Sequence, residues 1–245
     1  MFKNVLLRSL AGATAIGSAL TISLVATPAA VSSAPQVQTV ACTEYPSRAA
    51  TNTSVSAQPS MAPYGTAAKA MATVTSGAGT PTGRVRFVLR DSDGSFIDSW
   101  VVGLSGGSAS SPLPRGLPAR HTYTINGKYL PGCSPFGKSH DSGSYSVYKA
   151  RTATKVNAPS IHRGDRARVN VAVSSSTLTP TGRVRIRIVR NGNVIASSTL
   201  TLDSGRAFAS FGKYRPGLYT AKVGYLGTGN FRQSSGSDDF RIYRR

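Results

Sequence analysis

Arg183, Arg185 and Arg187 alternate with Val184, Ile186 and Ile188. In an extended chain, residues two apart share a side and stand ~6.6–6.8 Å from each other. Three guanidinium groups in such a row make a straight cationic stripe. It suits a linear polyanion: wall polymer, anionic glycan, nucleic acid or phospholipid surface. Arg84 and Arg86 begin the same pattern earlier in the chain. Lys plus Arg total 29 and Asp plus Glu total 9, a formal net charge of +20. The excess is uneven, with 17 bases and 4 acids in residues 151–245 against 10 and 5 in residues 43–150. Like charges on one surface repel unless acids or a ligand answer them, and the acids here are too few. Outward charges also block edge pairing and aggregation, so general solubility is the competing explanation of the stripe.

Other residues of suitable type fall short on spacing or context. Gly132-Cys133-Ser134-Pro135-Phe136-Gly137-Lys138-Ser139 fits the phosphate-loop pattern. That chemistry needs a helix after the loop, so that amides and helix dipole face the phosphates. His140-Asp141-Ser142-Gly143-Ser144 is a poor helix start and leads into a strand-like segment, so no nucleotide site is expected. Damage to this loop should cost folding instead. Arg163-Gly164-Asp165 spells an adhesion tripeptide in a turn between the first two strands of its repeat, where Tyr64-Gly65-Thr66 stands earlier. The shared glycine points to a backbone need for positive φ, with the flanking charges incidental. Asn52-Thr53-Ser54 is a glycosylation sequon only in a host that glycosylates asparagine.

Asp91, Asp93 and Asp98 flank Gly94 and read as turn formers, not as calcium ligands. His121, His140 and His162 have no ligand spacing among themselves or to the cysteines. No serine sits in a nucleophile elbow and no carboxylate pair stands out. The chain therefore reads as non-enzymatic, with no metal and no cofactor.

The elements that must position these residues are strands. Glu44 is the only Glu, while Thr, Ser, Val, Gly and Arg abound, which disfavours helices. Val169, Val171 and Val173 alternate with polar or small residues, as do Tyr219, Ala221, Val223 and Tyr225. Val85, Phe87 and Leu89 do the same, and Trp100 shares parity with Val102 and Leu104, which favours a core position over a ligand platform. Period two with one apolar face predicts half-buried strands in a two-layer stack. Asp93-Gly94, Asn191-Gly192, Asp203-Ser204-Gly205 and Pro216-Gly217 predict the turns.

The strands repeat. Thr80-Pro81-Thr82-Gly83-Arg84-Val85-Arg86-Phe87 recurs as Thr179-Pro180-Thr181-Gly182-Arg183-Val184-Arg185-Ile186, 99 residues later. Tyr123-Thr124-Ile125 matches Tyr219-Thr220-Ala221 at an offset of 96. A repeat this long is a domain in its own right. The expected division is 43–149 and 150–245, with a short hinge because Tyr148-Lys149-Ala150-Arg151 holds no Gly/Pro-rich spacer.

Residues 1–30 read as a signal peptide. Lys3 and Arg8 precede an apolar run from about Leu10 to Val25, and small residues follow at Ala26, Ala29 and Ala30. An uncleaved anchor is the alternative. Residues 31–42 form a lead to the first repeat. Cys42 and Cys133 are the two cysteines, and export would allow one bridge between them. Cys42 after Thr39-Val40-Ala41 could instead be lipidated.

Pro180-Thr181-Gly182-Arg183-Val184-Arg185-Ile186 resembles the P-T-G-x-V-x-F signature of bacterial Ig-like repeat domains. Tyr225-Leu226-Gly227-Thr228-Gly229-Asn230-Phe231, with Ser234 and Ser235, resembles the closing motif of that family, and Pro216-Gly217-Leu218-Tyr219 its turn into the penultimate strand. The likeness covers both repeats. The first departs from it at Tyr129-Leu130-Pro131-Gly132-Cys133-Ser134-Pro135-Phe136. It implies an all-β fold, two tandem immunoglobulin-like antiparallel β-sandwiches after a cleaved signal peptide. It also implies a secreted or wall-associated spacer, adhesin or accessory module without catalytic residues. Its topology would bring Lys222 and Arg241 into the sheet of Arg183, Arg185 and Arg187, on one face with Tyr243. Arg84 and Arg86 would take the matching face of the first domain. An anionic surface or wall polymer is then the expected partner, nucleic acid is not the expected physiological one, and no mature segment should span a membrane.

Overall fold

The computed structural model describes residues 47–244. The expected signal peptide, the lead segment and Cys42 lie outside the described residues. Among the described residues there is no helix, and none that could cross a membrane. Eight strands come first: β1 (Asn52–Gln58), β2 (Met61–Pro63), β3 (Lys69–Thr75), β4 (Arg84–Arg90), β5 (Phe96–Gly103), β6 (Ser108–Pro112), β7 (His121–Leu130) and β8 (His140–Tyr148). Eight more follow: β9 (Ala153–Asn157), β10 (Ile161–His162), β11 (Arg168–Ser174), β12 (Arg183–Arg190), β13 (Asn193–Thr201), β14 (Arg206–Ser210), β15 (Gly217–Tyr225) and β16 (Ser234–Tyr243).

Their pairing repeats. One three-stranded sheet has the order β1-β3-β6 and another β9-β11-β14, written from either edge. One five-stranded sheet has the order β2-β8-β7-β4-β5 and another β10-β16-β15-β12-β13. Each strand thus has its counterpart eight places on. The long ladders are antiparallel, as the resemblance implies. Two short pairings, β2 with β8 and β10 with β16, are parallel. They arise because the chain crosses from the small sheet to the large one after β1 and again after β9.

Alternation decides what is buried. Along β12, Val184, Ile186 and Ile188 are fully buried while Arg183, Arg185 and Arg187 are exposed. Along β15, Tyr219, Ala221, Val223 and Tyr225 turn inward. Each small sheet covers the inner face of its large partner, and each pair encloses its own apolar core. Trp100 is half-buried against the first core and stacks on Phe87, ring centroids 5.8 Å apart.

The two sheet pairs belong to one compact unit. Tyr64, in the turn after β2, packs against both cores and meets Phe231 edge-on at 5.4 Å. Asn230 accepts the amide of Ala119 on its side-chain oxygen at 3.0 Å and that of Ala150 on its carbonyl at 2.9 Å. Lys149 Nζ donates to the Thr228 carbonyl.

Candidate functional site

The five-stranded sheet of the second pair carries the stripe. Strand β12 lies between β13 and β15, so its outward arginines have neighbours on both sides. Arg187 stands directly opposite Lys222 on β15, and Lys222 opposite Ser237 on β16. Arg185 stands opposite Gly224, and Gly224 opposite Ser235. With no side chain at Gly224, a shallow depression opens there, lined by Arg185, Arg187, Lys222, Leu226 and Ser235. On the other flank, β13 sets Thr201, Thr199 and Ser197 opposite Arg183, Arg185 and Arg187. Guanidinium forks bordered by hydroxyls offer donors at several angles, a chemistry suited to tetrahedral or planar oxyanions.

Arg241 takes a different place. It pairs with Leu218, and the exposed carboxylate of Asp239 projects between it and the level of Lys222. The sheet therefore gathers Arg185, Arg187 and Lys222, places Arg183 at the start of the same strand, and sets Arg241 apart near Tyr243. Tyr243 is exposed and its ring lies 5.7 Å from that of His162. Among the described residues, none of these bases forms an ion pair; the only close acid–base pair is His121 Nδ1 with Asp91 Oδ1 at 3.0 Å.

The first pair holds a related but weaker arrangement. Arg84 and Arg86 are exposed on β4, and Arg86 is opposite Lys128, which is opposite His140. Val88 fills the position that Arg187 occupies in the second repeat. The sequence did not place Lys128 or His140 on this face, although the outward parity of Lys128 beside buried Tyr129 and Gly127 was there to be used.

The remaining motifs resolve into structure. The phosphate-loop pattern runs from β7 to β8, strand to strand. Its amides and carbonyls are engaged with the N-terminal segment: Gly137 N donates to Ala49 O at 2.8 Å, and Thr51 Oγ1 to Gly137 O at 3.0 Å. Gly65 and Gly164 both adopt positive φ, 84° and 103°. The Arg163-Gly164-Asp165 turn follows the short β10, one strand later than the sequence suggested, and Asp165 accepts the amide of His162 at 3.3 Å. Asp91 and Asp93 cap the β4–β5 turn through the amides of Ser92 and Ser95, which hold both carboxyls below their ordinary range. Asp98 lies within β5 and takes the amide of Ser99.

No protein family matches the chain, and no curated protein matches it in sequence. Among solved structures it is similar to a tetra-tandem repeat in the extending region of a large adhesion protein (TM-score 0.40, 15% identity, covering 80% of this chain and 49% of that one). It is similar also to the BSP domain of a biofilm-associated protein (TM-score 0.25, 14% identity, 79% and 29%) and to trypsin-activated α2-macroglobulin from Escherichia coli (TM-score 0.32, 12% identity, 75% and 15%). The chain spans less than half the length of each of these three proteins.

Proposed function

We propose that this is an exported, non-enzymatic module of two Ig-like β-sandwiches, associated with the cell wall or surface, whose basic sheet face captures a linear polyanion. The carrying observation is that Arg183, Arg185, Arg187 and Lys222 are all exposed on adjacent strands, with no carboxylate among the described residues paired to any of them. Such a face binds by electrostatic attraction along a strand. Each phosphate, sulfate or carboxylate neutralised releases a counterion, so binding weakens steeply with salt. An anionic wall polymer is the proposed partner. The test is binding of the mature protein to purified wall polymer or heparin across a salt series. The wild type should show a negative slope of log K against log salt, and Arg183→Ala/Arg185→Ala/Arg187→Ala should lower the slope by about two to three. Equal curves for the two proteins would end the proposal.

The joint between the sheet pairs favours a second reading, a stiff spacer without a ligand. Tyr64, Asn230 and Lys149 tie the halves together over a connection with no flexible linker. A spacer would recover nothing from its native surface beyond salt-labile background.

We also propose that Cys133 pairs with Cys42. No free cysteine occurs among the described residues, and Cys42 is the chain's one other cysteine. Cys133 sits in the loop that binds residues 49–51, so a bridge would reinforce that attachment. Intact mass of the secreted protein before and after reduction should differ by about two hydrogens within a monomer. A disulfide-linked dimer or a lipid mass on Cys42 would refute the pairing.

A further inference from the structure

The end of the second sheet pair holds a denser cluster than the stripe. Arg163, Arg190, Lys213, Arg215 and Arg244 line one depression there, and among the described residues no acid lines it. They come from four separate places: the turn after β10, the end of β12, the loop between β14 and β15, and the segment after β16. The same end of the first pair shows what this location otherwise does. Tyr64 stands where Arg163 does and Ala119 where Arg215 does, by the offsets of the repeat. In the first pair these residues belong to the apolar core or its rim, and Tyr64 and Ala119 contact the following repeat. In the second pair the corresponding positions are cationic.

One member of the cluster is held in place. Arg190 falls on the inward parity of β12, so its side chain closes the end of the core and does not join the outer face. It is half-buried. Its guanidinium lies over the Tyr219 ring, 5.3 Å from the centroid, and donates from Nη2 to the Pro216 carbonyl at 3.3 Å. Gly217 leaves the guanidinium room: its φ is +150°, and a Cβ there would come 3.0 Å from Nη2. A cation fixed by ring, carbonyl and glycine has given up much of its rotamer freedom before any ligand arrives. Four arginines and one lysine around a single depression call for several negative charges in a small volume. Guanidinium forks match phosphate oxygens two at a time.

We infer that this end is a separate anion site, built for a ligand carrying two or more phosphate groups in close succession. It shares no residue with the sheet face, so either site can fail without the other. The probe is inorganic tripolyphosphate, titrated calorimetrically into the mature protein at 50 and 150 mM salt, with inorganic phosphate and polyglutamate as comparison arms. Tripolyphosphate should bind at least about tenfold more tightly than either comparison. Lys213→Ser/Arg215→Ser, both at exposed positions, should weaken it about tenfold or more, and Gly217→Ala severalfold by displacing Arg190. Arg183→Ala/Arg185→Ala/Arg187→Ala should leave it within about twofold. Thermal melts of every variant show whether the fold is intact. Should Gly217→Ala unfold, Arg163→Ser replaces it with the same expected loss. Tripolyphosphate affinity unchanged in Lys213→Ser/Arg215→Ser would overturn the site. Polyglutamate binding as tightly as tripolyphosphate would overturn the phosphate assignment.

Discussion

Four tyrosines each drive a ring into a core and return the hydroxyl to a carbonyl at its rim. Tyr129 donates to Thr82 and Tyr225 to Thr181, at 2.5 and 2.6 Å. Tyr123 donates to Pro118 and Tyr219 to Arg215, at 2.8 and 2.6 Å. The last two reach back five and four residues, the geometry of a tyrosine corner in Ig-type sandwiches. Burial favours the neutral phenol, so Tyr123 is pushed up to about 12, and Tyr145, Tyr214 and Tyr225 are raised as well. A raised folded value means that the native state holds its proton longer than the unfolded chain does. The stability contributed is complete below the ordinary value near 10 and is lost as pH climbs through the folded values. Urea midpoints should therefore fall between about pH 10 and 12. Tyr123→Phe should lose about 1 kcal/mol at pH 7, from its hydrogen bond, and show a shallower alkaline decline. An alkaline profile identical to that of the wild type would mean that the decline originates elsewhere. Tyr219 and Tyr225, and Tyr123 through the repeat, were legible in the sequence as inward strand positions. Their carbonyl partners were not, because hydroxyl direction depends on loops whose course alternation does not specify.

At the level of the strand, β12 joins two opposite demands. Its inner side needs Val184, Ile186 and Ile188 for the core, while its outer side sets like charges about one pleat repeat apart. If Arg183, Arg185 and Arg187 served the fold, replacing them would destabilise it. The exposed, unpaired geometry predicts the reverse. The triple alanine variant should be as stable as the wild type or up to about 1 kcal/mol more stable at low salt, with the gain fading as salt rises. Denaturation at 20 and 500 mM salt checks this, and a loss above about 1 kcal/mol would give the stripe a structural role. Period-two patterning made this strand and its exposed face readable in advance. It could not show that Asp239 separates Arg241 from the others, because lateral order along β16 depends on register with β15. Nor could it show the cluster around Arg190. That cluster is assembled from loop ends distant in sequence, and periodicity carries no information about which loops meet.

For the molecule as a whole, the joint around Tyr64 sets how independently the halves behave. Tyr64 rests on both cores, and Asn230 ties Ala119 and Ala150 to one point. Calorimetry of the wild type should show the two sheet pairs unfolding in one coupled transition. Tyr64→Ala should split that transition, with the second pair losing roughly 2 kcal/mol of support. Two separate transitions already present in the wild type would show that the joint couples nothing. The sequence made the brevity of the connection plain. The coupling it could not show, since Tyr64 and Phe231 are far apart along the chain and their ring contact follows from folding alone.

The short parallel pairings have a mechanical meaning. In each half, the segment that enters and the strand that leaves run the same way and are hydrogen-bonded to each other. A pull on the two ends of such a half drags these strands past one another, so their bonds are loaded together in shear and not peeled one at a time. Three residues share that load in the first half and two in the second. Under tension the second half should therefore yield first, at the lower of two rupture forces in single-molecule pulling; a first rupture assigned to the first half would overturn this.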